Sequence, residues 1–479
     1  MMYLLESLAA LKKPSIYGLL LITFLTSTAQ ADLFKKEAEE KPKQYPEIPS
    51  IHDVYYMARD YDNQVAAARY RANAEKEIRA QARSALLPKA NVKAFTRLND
   101  NLIDSDVVFI APESRYNENG YTLVLSQALF NAPALIGLPE AKLKAKKSEL
   151  LLLEQEQNLI ARVADAYIGL IVAQSNLTVV ETQEKAIEEL LEQAKLNFEL
   201  GTATISDTHE AQAARDVVHA QVIAVSNQLK IIKHELYTLT GHHIDDVVKF
   251  KTDLPLDLEK FKIPPLEELE KIALKANLRL NISRIDHALA KMQLRKSQSD
   301  RLPKLDMVAT FGENNANSST FGGGASETEI YTVGAELSMP LLAGGAINSN
   351  VRKARFQYNE KQESLENTEK QTLLQLTEAF LNVDVARSSV TAFRKAVQSA
   401  KLSLDSTKLG FELGERTSLD VLSAQQTYYQ ALRDHTESQY NYLLASLGIN
   451  LSLGLVSEKD IIFIAELAEQ LNSGKAISH

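Results

Sequence analysis

Cysteine and tryptophan are both absent from the 479 residues. Without cysteine there is no disulfide, no thiolate metal site, no cysteine nucleophile and no lipid-bearing cysteine behind an export signal. Excess basic charge is lacking too: the formal net charge is -9, which gives no general attraction to nucleic acid or anionic lipid. Beyond the N-terminus no run of about 18 apolar residues stands out, so no transmembrane helix is expected there. The nine histidines form no metal box, and His242-His243 reads as a solvated pair at a helix end in preference to a ligand pair. No Gly-x-Ser-x-Gly, His-Glu-x-x-His or paired-carboxylate context occurs, so neither catalysis nor a cofactor is expected.

What is present is ordinary for a folded chain, 24% charged and 45% hydrophobic. Residues 1–31 have the form of an export signal. Lys12 and Lys13 precede an apolar core from Ile16 to Leu25, and Ala29-Gln30-Ala31 offers small residues for cleavage. Residues 32–50, with Pro46 and Pro49, read as a polar lead-in.

One stretch occurs twice. Leu196-Asn197-Phe198-Glu199-Leu200-Gly201 returns as Leu409-Gly410-Phe411-Glu412-Leu413-Gly414, and each copy lies between two long apolar-periodic runs. Each therefore reads as the tip of a helical hairpin. Gly201 and Gly414 can take the left-handed conformation that stops the incoming helix. Thr204 and Thr417 then open the next helix, with Asp207 and Asp420 three residues on in capping-box position.

Two similar tips imply two similar halves, residues 51–245 and 266–454, joined by a proline-bearing linker over 246–265 and followed by a tail, 455–479. Each half opens with a helical pattern, 51–86 or 266–301, that ends in Leu-Pro-Lys at Pro88 or Pro303. Alternating segments follow, two per half and roughly ten residues each, the length a tilted strand needs to cross a bilayer. Long polar loops join them, Leu98 to Gly120 and Gly312 to Glu329. Gly322-Gly323-Gly324 in the second has neither the lysine nor the helix of a phosphate loop. A long helix then runs from about 140 to 200, with Val163, Ala166, Leu170, Ala173, Leu177, Val180, Ile187, Leu191, Ala194 and Phe198 as a heptad seam that Glu184 interrupts. Its counterpart runs from about Asn348 to Leu413. Shorter return helices follow, and the helices at 51–86 and 266–301 have the right length to continue them end to end.

Four strands cannot close a barrel, and an open edge in lipid would leave backbone groups unpaired. Two copies would supply eight strands and three would supply twelve. The internal repeat, the Leu-Pro-Lys sites, Ser126-Gln127-Ala128-Leu129-Phe130, Ser338-Met339-Pro340-Leu341-Leu342 and the tip Gly414-Glu415-Arg416-Thr417-Ser418-Leu419-Asp420-Val421-Leu422 resemble the TolC family of outer-membrane export ducts. The resemblance covers about 51 to 455. It implies a mainly α fold with a membrane β-barrel: a homotrimer with a twelve-stranded barrel in outer-membrane lipid and a helical tunnel across the periplasm. Its partners would be a periplasmic adaptor and an inner-membrane ABC or proton-driven transporter. The missing lipid-anchor cysteine leans toward type I protein secretion; small-molecule efflux and a non-membrane coiled-coil scaffold are the alternatives.

In that family the tips close the tunnel. By resemblance Asp420 takes the position of an aspartate ring, Arg416 that of a linking arginine, and Asp207 that of its acceptor region. Two departures stand out: Ser423 replaces a second ring aspartate, and Phe411 replaces a tyrosine that would donate to the first tip. The plainer reading is that Asp207 and Asp420 only cap helices and that Arg416 is a solvated surface arginine.

Overall fold

The computed structural model describes residues 46, 48–102, 113–245, 263–317 and 324–462. All of these except Pro46 fall in one compact unit, Glu47–His479. The export signal, most of the polar lead-in, the centre of the glycine-rich loop, most of the linker and the tail beyond residue 462 lie outside the described residues.

The first helical pattern forms two helices, not one: α1 (Ile51–Tyr61) and α2 (Asn63–Ser84). Its counterpart splits the same way into α5 (Leu266–Ala276) and α6 (Leu278–Ser299). The reason is a cap inside each pattern. Asp62 has extended backbone and accepts from Val65 N at 2.8 Å, and Asn277 accepts from Leu280 N at 2.9 Å. Asp62 is 6% exposed and also receives Arg162 Nη1 at 2.8 Å. Asn277 Nδ2 donates to Ser452 O at 2.8 Å.

The long helices are α3 (Ala132–Glu199) and α7 (Ala346–Glu412), and the return helices are α4 (Ile205–Thr240) and α8 (Ser418–Leu453). At 1.5 Å per residue α3 extends about 100 Å. It starts eight residues earlier than its sequence implies and runs through Pro139. Asn131 caps it by accepting from Ala134 N, and Pro133 falls in the first turn, where a missing N–H costs no hydrogen bond. The seam residues Val163, Leu170, Ala173, Val180, Ile187, Leu191 and Ala194 are buried, but Phe198 at the end of the run is 44% exposed. Glu184, the polar interruption, meets His219 of α4 at 2.7 Å. Contrary to expectation, α3 contains a stretch long and apolar enough, by length and composition, to cross a membrane; 44% of that stretch is buried within the chain.

The helices form a layer in which α3 packs against α2, α4, α6 and α8, and α7 packs against α5, α6 and α8. The joints between short and long helices repeat. Gly241 ends α4 at positive φ with its Cα facing the Tyr61 ring, where a Cβ would come within 2.6 Å. Gly454 ends α8 beside the α5–α6 break, where a Cβ would lie 2.9 Å from Leu278 N. Each return helix thus abuts the break between two short helices, and the second short helix continues its course along the long one.

Pro88 and Pro303 stand between helix and sheet. The strands are β1 (Lys89–Leu102), β2 (Glu113–Phe130), β3 (Lys304–Ala316) and β4 (Ser326–Ser338), an antiparallel sheet in that order. They are longer than ten residues, because pairing continues into segments whose polar side chains suggest loop: Arg97 faces Glu118, and Asn315 faces Glu327. Register puts the apolar residues on one face, in rows such as Val92, Leu123, Phe311 and Tyr331, or Ala90, Leu125, Ala309 and Val333. The other face carries Asn91, Lys93, Thr122, Thr310, Thr332 and Glu336.

Asp62 is the more costly of the two break residues to lose, because its removal leaves the Arg162 guanidinium, whose Nε and Nη2 have no hydrogen-bond partner among the described residues, without its carboxylate. Asp62→Ala is expected to destabilise the fold by about 3 kcal/mol and Asn277→Ala by about 1 kcal/mol, with thermal unfolding of the two purified variants as the check.

Candidate gate at the hairpin tips

Both tips are built from the same local rules. At the first, Gly201 has φ +74°, Gly201 N donates to Phe198 O at 2.9 Å and Thr202 N to Asn197 O at 2.8 Å. At the second, Gly414 has φ +78°, Gly414 N donates to Phe411 O at 3.0 Å and Glu415 N to Gly410 O at 2.8 Å. This pair of bonds is the Schellman closure, and it satisfies carbonyls the helix would otherwise leave open.

Two residues later the chain turns into a capping box. Thr204 N and Thr204 Oγ1 donate to Asp207 Oδ2 at 2.8 and 2.7 Å, and Asp207 N returns to Thr204 Oγ1 at 3.4 Å. Thr417 and Asp420 repeat the arrangement, with 2.9, 2.9 and 3.2 Å. Hydrogen bonds from Thr204, with a further one from Ser418, hold the Asp207 carboxyl below its usual range. Hydrogen bonds from Thr417 do the same for Asp420, helped by the nearby charge of Arg416. Both aspartates therefore act as helix caps within one chain.

The remaining tip residues fall into place around these caps. Phe411 packs on a cluster formed by Val180, Ile187 and Leu190 of α3, Val218 of α4 and Val421 and Leu422 of α8. Its ring holds the second tip to the first hairpin by apolar contact. Arg416 lies over Gly410, where a Cβ would come 2.8 Å from Arg416 Cγ, so the missing side chain makes room for the arginine stem. Asp207 takes its bonds from Thr204 and Ser418, not from Arg416. Ser423 is exposed on the second turn of α8, and its carbonyl accepts from Thr427 Oγ1 at 2.9 Å.

Sequence reasoning missed Ser418. It is 3% exposed, and its hydroxyl donates to Asp207 Oδ1 at 3.1 Å across the two tips. The available signal was an asymmetry between the copies: Thr204 is followed by Ile205, and Thr417 by Ser418. Among the described residues no group of three or more His, Asp or Glu side chains is arranged to hold a metal ion.

The family described as "Outer membrane efflux protein" matches residues 54–242 and 269–455. Outer membrane protein TolC of Vibrio cholerae is 30% identical over 420 residues, covering 86% of this chain and 92% of that protein. The alkaline protease secretion protein AprF of Pseudomonas aeruginosa is 27% identical over 429 residues, covering 86% of each. The crystal structure of the Campylobacter jejuni CmeC outer membrane channel matches with a TM-score of 0.74 at 17% identity, over 92% of this chain and 95% of that one. At that identity the likeness is one of fold.

Both cap carboxyls sit below their ordinary value of 3.8, so their contribution is complete above that pH and is lost as pH falls through the lower folded-state value. The double variant Asp207→Ala/Asp420→Ala is expected to melt below the unmodified protein at pH 7. The difference in melting temperature should close in strong acid; a gap that persists there would show that the carboxylates do not supply it.

Proposed function

The chain belongs to the outer membrane efflux protein family, and from that premise we propose that three copies of it form an exit duct, a twelve-stranded barrel continued by a helical tunnel. It is an outer-membrane protein of mainly α fold with four strands. The observation that carries the reading is the sheet: one apolar face and two free edges, on β1 and β4. Val333 is 74% exposed, Leu337 68% and Val92 60%, as suits a surface turned to lipid. The helical layer ends at the same two places. Its outer helices leave Phe356, Leu402 and Val385 of α7, and Ile223 and Val217 of α4, open to solvent in a single copy. One rotation that brings β4 of one copy beside β1 of the next also brings α7 beside α2 and α4, so a cyclic assembly covers both sets of edges together. Two copies would give eight strands, whose interior side chains fill; three leave a lumen.

Within this duct the tips form the closed end, facing a periplasmic adaptor and an inner-membrane transporter. Three Asp420 carboxylates around the axis would favour cations, and Ser423 supplies no second acidic ring. Arg416, its stem laid over Gly410 and its side chain exposed, links one tip to a neighbouring copy. The cargo we infer is protein delivered by a type I system, a reading supported by the likeness to a protease secretion protein. The efflux of small molecules is the second reading, favoured by the family's description.

The lipid face provides a direct test. Val333→Arg is expected to cost about 2–4 kcal/mol of membrane-inserted stability, whereas Thr332→Arg, one residue along and on the opposite face, is tolerated. Recovery of heat-resistant trimer from the outer membrane reads this out, and equal loss from both variants would contradict the assignment of faces. In planar bilayers Asp420→Ala is expected to reduce cation selectivity; unchanged selectivity would remove the acidic ring.

A further inference from the structure

The chain is acidic overall, yet many of its cations gather at one level. Where the helices meet the sheet, residues 76–88 at the end of α2, 131–147 of α3, 290–303 of α6 and 338–355 leading into α7 hold fourteen of the 53 Lys and Arg residues and only three of the 62 Asp and Glu residues. Four of these cations are satisfied within the chain: Arg79 pairs with Glu149 at 3.6 Å, Lys144 and Lys296 share Glu140 at 2.6 and 3.5 Å, and Lys147 meets Asp286 at 2.6 Å. Among the described residues the other ten form no ion pair, and Arg83, Lys142, Lys146, Arg295, Arg352 and Arg355 are exposed. An apolar band adjoins them. Leu337, Met339, Leu341 and Leu342 are 68, 54, 85 and 97% exposed, and the next charged residues along the chain are Arg352, Lys353 and Arg355, with no carboxylate between. Two of the cations can be placed on a face. Leu376 of α7 packs in one cluster with Leu269 and Ala273 of α5, and Tyr167 of α3 donates its hydroxyl to Pro49 O beside α1. Arg355 and Lys146 stand three heptads before these two residues, on the side of the helical layer that carries α5 and α1.

We propose that this basic collar binds the anionic headgroups of phospholipid in the membrane leaflet that faces the periplasm. The proposal rests on the duct reading above, in which the sheet crosses the bilayer and the helices leave it on the periplasmic side. Exposed apolar residues followed by cations match the order of a bilayer's hydrocarbon edge and its headgroups. The spacing fits as well: at 1.5 Å per residue Lys142 stands about 10 Å along α3 from the exposed Leu135, and Arg352 about 9 Å along α7 from Ala346. Their long stems can carry the charge back to headgroup level. The leucine band argues for lipid over a soluble polyanion, which would gain nothing from apolar surface beside the cations. A duct keeps its lumen open, which puts α1 and α5 on its outer side, and Lys146 and Arg355 with them. Closing the ring sets α7 of one copy beside α2 of the next, both basic at this end, and headgroup phosphates there offset the repulsion. The attraction is local, so a net charge of -9 on the whole chain does not oppose it.

Spin-labelled lipids test this with the full-length protein in phosphatidylcholine vesicles at low ionic strength, where the immobilised fractions of labelled phosphatidylglycerol and labelled phosphatidylcholine give their relative association. Phosphatidylglycerol is expected to be preferred roughly fivefold, the scale of one basic residue beside an anionic surface. The preference should fade in about 1 M sodium chloride, where charges are screened within about 3 Å. The triple variant Lys146→Gln/Arg352→Gln/Arg355→Gln should bring the ratio close to one. Lys395→Gln/Lys401→Gln/Lys408→Gln removes the same charge from exposed positions nearer the α7 tip and should leave the ratio unchanged. Because the ratio is taken within each protein, a lower inserted yield does not imitate a lost preference. Equal association of the two lipids with the unmodified chain overturns the collar, and so does an equal loss in both triple variants, which would mark an effect of net charge alone. A preference abolished by millimolar inorganic phosphate, but not by sodium chloride of the same ionic strength, would make this a site for free phosphate and overturn the lipid assignment. If the unmodified chain immobilises no phosphatidylcholine at all, no surface of it meets lipid; the duct reading then falls and takes the collar with it, an outcome distinct from equal association.

Discussion

Backbone N–H and C=O groups have no water to bond with inside a bilayer, and a strand there must have a neighbour on each side. The sheet of this chain has four strands in the order β1 to β4, so two of its strands have one neighbour only. Its apolar face cannot be buried by folding over, because the residues beneath it on the other side are lysine, threonine, asparagine and glutamate. A wall with a greasy outside, a wet inside and two unfinished edges is completed by further copies of itself. The helical half follows from that necessity. In the assembly proposed above, the rotation that closes the sheet closes the helices too, and α4 and α7 carry apolar residues left exposed in a single copy.

The internal repeat is a repeat of joints as much as of helices. In each half a break residue, Asp62 or Asn277, ends one short helix and caps the next, while a glycine at the end of the return helix fits against that break. The chemistry of the two joints has diverged. Asp62 is charged and pairs with Arg162 of α3, tying its break to the long helix by an ion pair. Asn277 is neutral and reaches Ser452 O, tying its break to the end of the return helix. A further tie joins the first half to the tail, where Tyr56 and His52 of α1 meet Glu458 just beyond α8.

Most of the fold could be read from residue order because its signals are local. A Gly at a helix end, a Thr with an Asp three residues on, and a Leu-Pro-Lys before an alternating run each specify their own backbone. Errors arose where a local signal had two meanings. Asp62 and Asn277 are compatible with a helix surface and with a cap, and only the neighbours Arg162 and Ser452 decide between them. Strand ends were set too short because polarity marks where lipid stops, whereas pairing depends on the backbone and continues past that level. The positions of Asp207, Asp420 and Arg416 on the tips were legible, but the contact made by Ser418 was not. A serine after an N-cap threonine carries no signal of its own, and its partner is 211 residues away.

That distant pairing changes how the tips should be understood. Two hairpins with the same stop signal and the same cap would be interchangeable if local rules were all that mattered. Three substitutions between the copies break the equivalence: Asn197 becomes Gly410, Ile205 becomes Ser418, and Ala203 becomes Arg416. Gly410 and Arg416 act as a pair, because the arginine stem occupies the space a side chain at 410 would fill. Ser418 acts on Asp207, which belongs to the other copy of the motif. The first tip keeps an acceptor and the second gains a hydroxyl donor and a cation. The two tips share their stop signal and cap, and the residues in which they differ give them complementary surfaces. The contact between the tips is made by side chains and is separate from the Schellman closure and the capping boxes that fold each tip.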